Sequence, residues 1–230
     1  MASLSWIAVV LTFSLSVGNN LAALDQNYLT TIVQQIMNKY GRGDRQYSIA
    51  VTVPEDKTKL HEVFDSDKST AVKEYENGVV YVGTNVVAAK PNFIPGSYTE
   101  HAEARVLDKV QELANKEGYI LIIYSYYSPC GAKCTDKDHK FNILDKIKDK
   151  VKNIWKEYAF VFTTVFDRTS TEEKIPKKQT ETALSHLAEA IGHDKISACY
   201  TEKNDFICLN CYNNKKEVAP ECIDNFYYYD

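Results

Sequence analysis

No apolar run beyond the first two dozen residues is long enough to cross a bilayer, which excludes internal membrane spans and stable membrane association. Positive charge is not in excess either. Lys and Arg number 27 against 31 Asp and Glu, a formal net charge of −4. That balance excludes a protein that coats nucleic acid non-specifically, while leaving room for a local basic patch. No Asn-x-Ser/Thr triplet occurs, so no N-linked glycan is expected. What is present is 230 residues with 44% hydrophobic content, enough for one domain with a sizeable core. The apolar run WIAVVLTFSLSV near the start is too short to span a membrane, and small residues follow it. It reads as a signal peptide over residues 1–18, or through Ala22, and places the mature chain outside the cell. Its n-region carries no Lys or Arg.

The chemistry is concentrated between His101 and Cys134. His101-Ala102-Glu103 opens a helical pattern, with Val106, Val110 and Leu113 on one face. Ser97 or Thr99 is placed to cap it. YILIIYSYY follows Gly118 and reads as a buried strand. Ser128-Pro129-Cys130 ends that strand, and Cys134 lies four residues on. Pro129 predicts that Cys130 starts a helix, where the dipole favours thiolate and where i,i+4 sulfurs share a face. One imidazole and two thiols match a zinc site with an open fourth position, with Glu103 left over to move protons. His-x-Glu followed by Pro-Cys-x-x-Cys marks the zinc nucleobase deaminases. The spacing here is Cys-x3-Cys, and a local Cys130–Cys134 disulfide or two free thiols are the alternatives to Zn2+.

HAE, 25 intervening residues and then PC preceded by SYYS resemble the zinc motif of the AID/APOBEC polynucleotide cytidine deaminases. With the N-terminal leader, the chain is similar to the secreted AID/APOBEC-like deaminases of fish. The resemblance covers residues 25–202, the expected deaminase domain, and it is sharp only at the zinc motif. It implies a three-layer α/β/α cytidine deaminase-like fold with a five-stranded mixed sheet. It also implies hydrolytic deamination of cytosine at C4, in single-stranded DNA or RNA or in a free cytidine-type nucleotide; adenine in a polynucleotide stays open. Tyr127 stands where the family has a pocket Trp. Ala102 would offer its N–H to the base carbonyl, and Ser128 its backbone to the exocyclic amine. Asn85 would contact the target nucleotide, unless it simply ends a strand. Phe166 and Asp167 would read a flanking base, unless Phe166 only closes the core.

The remaining elements follow from periodicity. Residues 25–40 predict a helix ended by Gly41, and 47–53 a strand ended by Pro54. A charged connection over 55–78 predicts one short helix near 70–75. VVYVGTNVV reads as a second strand. TDKDHKFNILDKIKDKVKNIWKEY predicts one long helix from Thr135 with Phe141, Leu144, Ile147, Val151 and Ile154 buried. His139 falls on it as a surface residue. Residues 158–166 and 196–201 read as strands flanking a helix over 179–191, and should pair in parallel through a right-handed crossover. In the resembled family that parallel pair separates polynucleotide and tRNA deaminases from free cytidine deaminases. Residues 203–230 form a Cys-rich extension packed on the domain. Cys199, Cys208, Cys211 and Cys222 allow two disulfides in three connectivities, or a second zinc site using Cys208 and Cys211. Nothing in the sequence sets an oligomeric state. A catalytically inactive secreted binding protein on the same scaffold is the non-enzyme alternative.

Overall fold

Strand residues here alternate between two apolar cores, so one sheet is covered on both faces. A computed structural model of the chain describes residues 24–225 apart from 42, 44, 66–70, 114–116 and 170. The expected signal peptide lies outside the described residues. In chain order the elements are α1 (Gln26–Tyr40), β1 (Ser48–Pro54), α2 (Leu60–Asp65), α3 (Ala71–Glu76), β2 (Tyr81–Val82), β3 (Val86–Ala89), β4 (Asn92–Phe93), β5 (Thr99–Glu100), α4 (Ala102–Lys109), β6 (Tyr119–Tyr127), α5 (Leu144–Ile147), β7 (Tyr158–Thr164), α6 (Lys177–Ile191), β8 (Ile196–Glu202) and β9 (Asp205–Asn210). The main sheet has seven strands in the order β2-β3-β1-β6-β7-β8-β9. Pairing is parallel for β6–β7 and β7–β8 and antiparallel elsewhere.

Along β6, Leu121 and Ile123 join α4, α5 and α6 in one core, while Ile120, Ile122 and Tyr124 join α1, α2 and α3 in the other. This is the expected three-layer α/β/α arrangement, and β7–β8 pair in parallel as the crossover argument requires. The sheet is wider than five strands for two reasons. VVYVGTNVV is broken by a turn into β2 and β3, which pair antiparallel. The Cys-rich segment also enters the sheet: β9 pairs with β8 over Ser197–Glu202 and Asp205–Asn210. It is an edge strand and not an appendage.

Local signals decide the element ends. Asp25 caps α1 by accepting from the backbone N–H of Asn27 at 2.9 Å. Gly118 holds φ of +75° in the turn before β6, a conformation that favours glycine. The long helix expected from Thr135 is not formed. Residues 135–143 are turns, and α5 continues as a π-helical stretch, Lys148–Lys152. The wider π turn shifts the phase of the apolar stripe. Trp155 is therefore buried at 3% exposure, whereas Ile154, expected inside, is 41% exposed. The connection over 55–78 carries two α-helices, α2 and α3, where one was expected.

The four C-terminal cysteines form Cys199–Cys208, across β8 and β9, and Cys211–Cys222. Both pairs are disulfides, which overturns a second zinc site at Cys208 and Cys211. Each closes a short loop, with sequence separations of 9 and 11. Loops of that size restrict the unfolded chain by about 2–3 kcal/mol per bond. The double Ser variant of Cys199 and Cys208 should therefore lower unfolding free energy by about 2–3 kcal/mol. Chemical denaturation measures this, and an unchanged midpoint would refute it.

Candidate active site

α4 and the turn after β6 bring three soft donors together at the carboxyl end of β6. His101 is the N-cap of α4, not a preceding Ser97 or Thr99; those residues are taken by the small hairpin β4–β5 and its turn. Its Nδ1 lies 3.1 Å from Cys134 Sγ and 3.7 Å from Cys130 Sγ, and the two sulfurs are 3.4 Å apart. All three donor atoms fall within 4.8 Å of one another. One nitrogen and two sulfurs converging in this way could hold a metal ion, and the donor set suits a thiophilic divalent cation.

The turn that delivers the sulfurs differs from expectation. Residues 131–134 form a turn and not the first turn of a helix. The Cys130 carbonyl accepts from the Thr135 N–H at 3.2 Å and from its hydroxyl at 3.3 Å. Closing the loop through Thr135 lets a Cys-x3-Cys spacing converge without helical geometry, so neither thiol starts a helix of its own. Gly131 packs against α6, where a Cβ would meet the Gln179 side chain at 3.2 Å. Thiolate at Cys130 is favoured instead by local donors: the Cys134 thiol first, then His101 and the Cys134 N–H, hold its pKa well below the ordinary value. Cys134 shifts the other way. The neighbouring Cys130 sulfur and burial push its thiol up. The hydrogen bond to Cys130 raises the His101 imidazole.

Glu103 lies one residue further into α4 than Ala102 and is 2% exposed. Its Oε1 accepts from Gln46 Nε2 at 2.9 Å and from Ser125 Oγ at 3.0 Å. Its Oε2 is buried with no hydrogen-bond partner among the described residues. Burial raises the Glu103 carboxyl above the usual range, with the charge of His101 acting against it. Gln46 also donates to Ser125 Oγ at 2.9 Å and accepts from the Tyr127 N–H at 2.9 Å, tying the carboxylate to the end of β6.

A cleft of about 510 Å³ opens over these groups, and His101, Glu103, Cys130, Tyr127, Ser128 and Phe166 line it. Tyr127 and Phe166 meet edge to face at 5.7 Å. Ser128 Oγ accepts from the Phe166 N–H at 2.9 Å, which fixes one wall to the other. β7 ends at Thr164, so Phe166 belongs to the cleft wall and not to the strand. Asp167 is half-buried, with its carbonyl accepting from the Ile175 N–H at 2.7 Å, inside the loop and not on the lining. Ala102 is the first residue of α4, in a turn that no side chain caps.

Asn85 is not brought to the site. It sits in the β2–β3 turn, where its carbonyl accepts from the Thr52 N–H at 2.9 Å. Thr52 pairs with Leu121, whereas Ser48 pairs with Ser125 beside Glu103. Four strand residues, about 13 Å, separate the two levels. Because the predicted strand is really a hairpin, its asparagine falls at the opposite end of the sheet. Two residues that matter to the carboxylate escaped sequence reasoning. Ser125 had a signal, a hydroxyl at an inward position of an otherwise apolar and aromatic strand. Gln46, just before β1, had none.

A helix-borne His-x-Glu and a Pro-Cys turn, meeting at one end of a helix-covered mixed sheet, define a cytidine deaminase-like protein. The chain belongs to the Secreted Novel AID/APOBEC-like Deaminase 1 family, whose profile matches residues 26–226. The match runs past residue 202 and includes the stapled C-terminal segment. No curated protein matches the chain.

Two outcomes test this geometry. Cys134→Ser leaves one thiol and one imidazole and should abolish stoichiometric metal, measured as metal per purified chain; retention of a full equivalent would overturn the three-donor site. Gln46→Leu removes both donations to buried oxygens and should cost about 1–3 kcal/mol in denaturant unfolding.

Proposed function

We propose that the protein is a secreted, zinc-dependent hydrolase that converts cytosine to uracil in single-stranded polynucleotide, with a role in defence. The observation that carries this is Glu103. A buried carboxylate with one oxygen clamped and the other unpartnered, beside three converging metal donors, is placed to move protons. The family name supports a secreted deaminase. Two disulfides fit an oxidising compartment, and among the described residues no helix is long and apolar enough to cross a membrane.

His101, Cys130 and Cys134 would hold the zinc, which when bound supplies Lewis acidity and lowers the pKa of water to about 7. Glu103 Oε2 takes a proton from the attacking water and delivers it to N3 of the base. The water oxygen bonds to C4; the carboxylate then takes the remaining proton from the new C4 hydroxyl and passes it to the amine, which leaves C4 as ammonia while the C4 carbonyl of uracil forms. The raised carboxyl pKa brings Glu103 nearer the working pH, as a group that alternates between acid and base requires. The Ala102 N–H orients the base carbonyl, the Ser128 backbone accepts from the exocyclic amine, and Tyr127 borders the ring.

Features around the cleft favour a polynucleotide over a free nucleotide. A second cavity of about 300 Å³, lined by Arg45, Gln46, Lys90 and Pro91, shares Gln46 and Pro91 with the cleft. It places Arg45 and Lys90, whose ammonium also donates to the Glu76 carbonyl, where a phosphate beside the target base would lie. Phe93 is 71% exposed on the β4–β5 hairpin, where it pairs with Thr99, a residue of the cleft lining. Tyr127 and Phe166 give the cleft an aromatic wall, and stacking on such a wall contributes about 1–3 kcal/mol per base. The net charge of −4 favours the second reading, a free cytidine-type nucleotide as substrate.

The test measures uracil or uridine formed from single-stranded DNA, RNA and cytidine, with zinc quantified on the same preparation. Glu103→Gln should retain one zinc per chain and lose about 10²–10⁴-fold in rate. Product inhibited by short oligonucleotides but not by cytidine supports the polynucleotide; the reverse supports the nucleotide. Zinc without product on any substrate defeats the enzyme reading and leaves a binding protein on this scaffold.

A further inference from the structure

The loop that carries Phe166 and Thr169 into the cleft runs from the end of β7 to the start of α6. It is internally folded back: the Ile175 N–H donates to the Asp167 carbonyl at 2.7 Å, the Thr169 N–H to the Glu173 carbonyl at 2.9 Å, and the backbones of Arg168 and Lys174 form an isolated antiparallel β-bridge. Both of its ends are held by consecutive residues near the C-terminus. At the first end, Asn225 presents its amide to the Val165 backbone. Its Oδ1 accepts from the Val165 N–H at 2.8 Å, and its Nδ2 donates to the Val165 carbonyl at 2.8 Å. Both polar groups of one peptide residue are satisfied by one side chain, as a neighbouring strand would satisfy them. At the second end, Asp224 pairs with Lys177, the first residue of α6.

Asp224 and Asn225 follow immediately on a stapled unit. Cys211 and Cys222 are fully buried and joined, the Ala219 N–H donates to the Cys211 carbonyl at 2.9 Å, and the Cys222 N–H donates to the Ala219 carbonyl at 3.0 Å. Cys211 itself donates its N–H to the Ile196 carbonyl at 2.8 Å, which anchors the unit to β8. Only two residues separate the Cys222 disulfide from Asn225, so the staple fixes where that amide can reach. Val165 is 3% exposed in the same core as Cys211 and Cys222 and precedes Phe166.

We propose that the disulfide-stapled C-terminal segment is a two-point clamp on the cleft-forming loop, with Asn225 as a positioning residue that sets the Phe166 wall against the catalytic groups. The proposal rests on the deaminase reading above. Asn225 touches no reacting atom. It acts through Val165 on an aromatic wall that a base next to the target would meet. A substrate-selecting loop is thereby made rigid by a covalent bond far along the sequence, which suits a protein working in an oxidising medium.

Amide hydrogen exchange and kinetics on the full-length secreted chain test it together. In Asn225→Ala, the Phe166 amide, held by Ser128 Oγ in the wild type, should exchange about tenfold faster or more, while amides within β6 and β7 stay protected. KM for an oligonucleotide should rise about tenfold with a smaller change in kcat, and preference among flanking bases should flatten. Asn225→Asp keeps the acceptor and loses the donor, so it should fall between the two. The double Ser variant of Cys211 and Cys222 should reproduce Asn225→Ala. Asp224→Lys should loosen the loop, and adding Lys177→Asp should restore it. Unchanged Phe166 exchange in Asn225→Ala overturns the clamp. Faster exchange with unaltered KM and base preference overturns the positioning role. A wild type silent on DNA, RNA and cytidine overturns the deaminase reading and the positioning role with it, while the Phe166 amide still decides the clamp.

Discussion

The site depends on keeping one carboxylate out of water without letting it find a structural partner for both oxygens. Burying an ionisable group costs free energy unless hydrogen bonds offset it. Here Gln46 and Ser125 satisfy Oε1 of Glu103, while Oε2 is left over. A purely structural carboxylate would be expected to satisfy both oxygens or to reach solvent. The neighbouring donors follow the same logic. Cys130 is drawn towards thiolate by Cys134 and His101, which prepares a cation site beside a group suited to handling protons.

The sheet supplies the platform. β6 lies between antiparallel β1 and parallel β7, and the cleft opens beyond the carboxyl ends of β6 and β7. In open α/β sheets that is where ligands gather, because loops leaving adjacent parallel strands diverge and leave a crevice. Tyr127 and Ser128 leave β6 into one wall, Phe166 follows β7 into the other, and α4 brings His101 and Glu103 from the layer above. The small hairpin β4–β5 adds Thr99 to the lining.

The C-terminal segment is joined to that platform in three ways. β9 extends the sheet, Cys199–Cys208 ties β9 to β8, and Cys211–Cys222 leads to the residues that hold the loop after β7. One disulfide restrains the edge of the sheet, and the other leads into the wall of the cleft.

His101, Glu103, Cys130 and Cys134 were legible in the sequence, because an imidazole, a carboxylate and two thiols around a continuous apolar strand restrict what the chemistry can be. The buried strands and the parallel β7–β8 pair were legible too, since hydrophobic runs and crossover handedness are local or nearly local properties. The long helix after Cys134 was misread, because its apolar stripe passes through a π turn that periodicity alone does not register. Asn85 was misplaced for a related reason: a turn inside an apolar run reverses which end of the sheet a residue occupies. Gln46, Ser125 and Asn225 act through side chains that meet partners 57, 22 and 60 positions away. By itself the sequence determined the chemical parts and the class of fold. Only the tertiary structure decided which oxygen of Glu103 is free, how a Cys-x3-Cys turn closes, which cysteines pair and what holds the cleft wall, because each is settled by contacts between segments that local pattern does not connect.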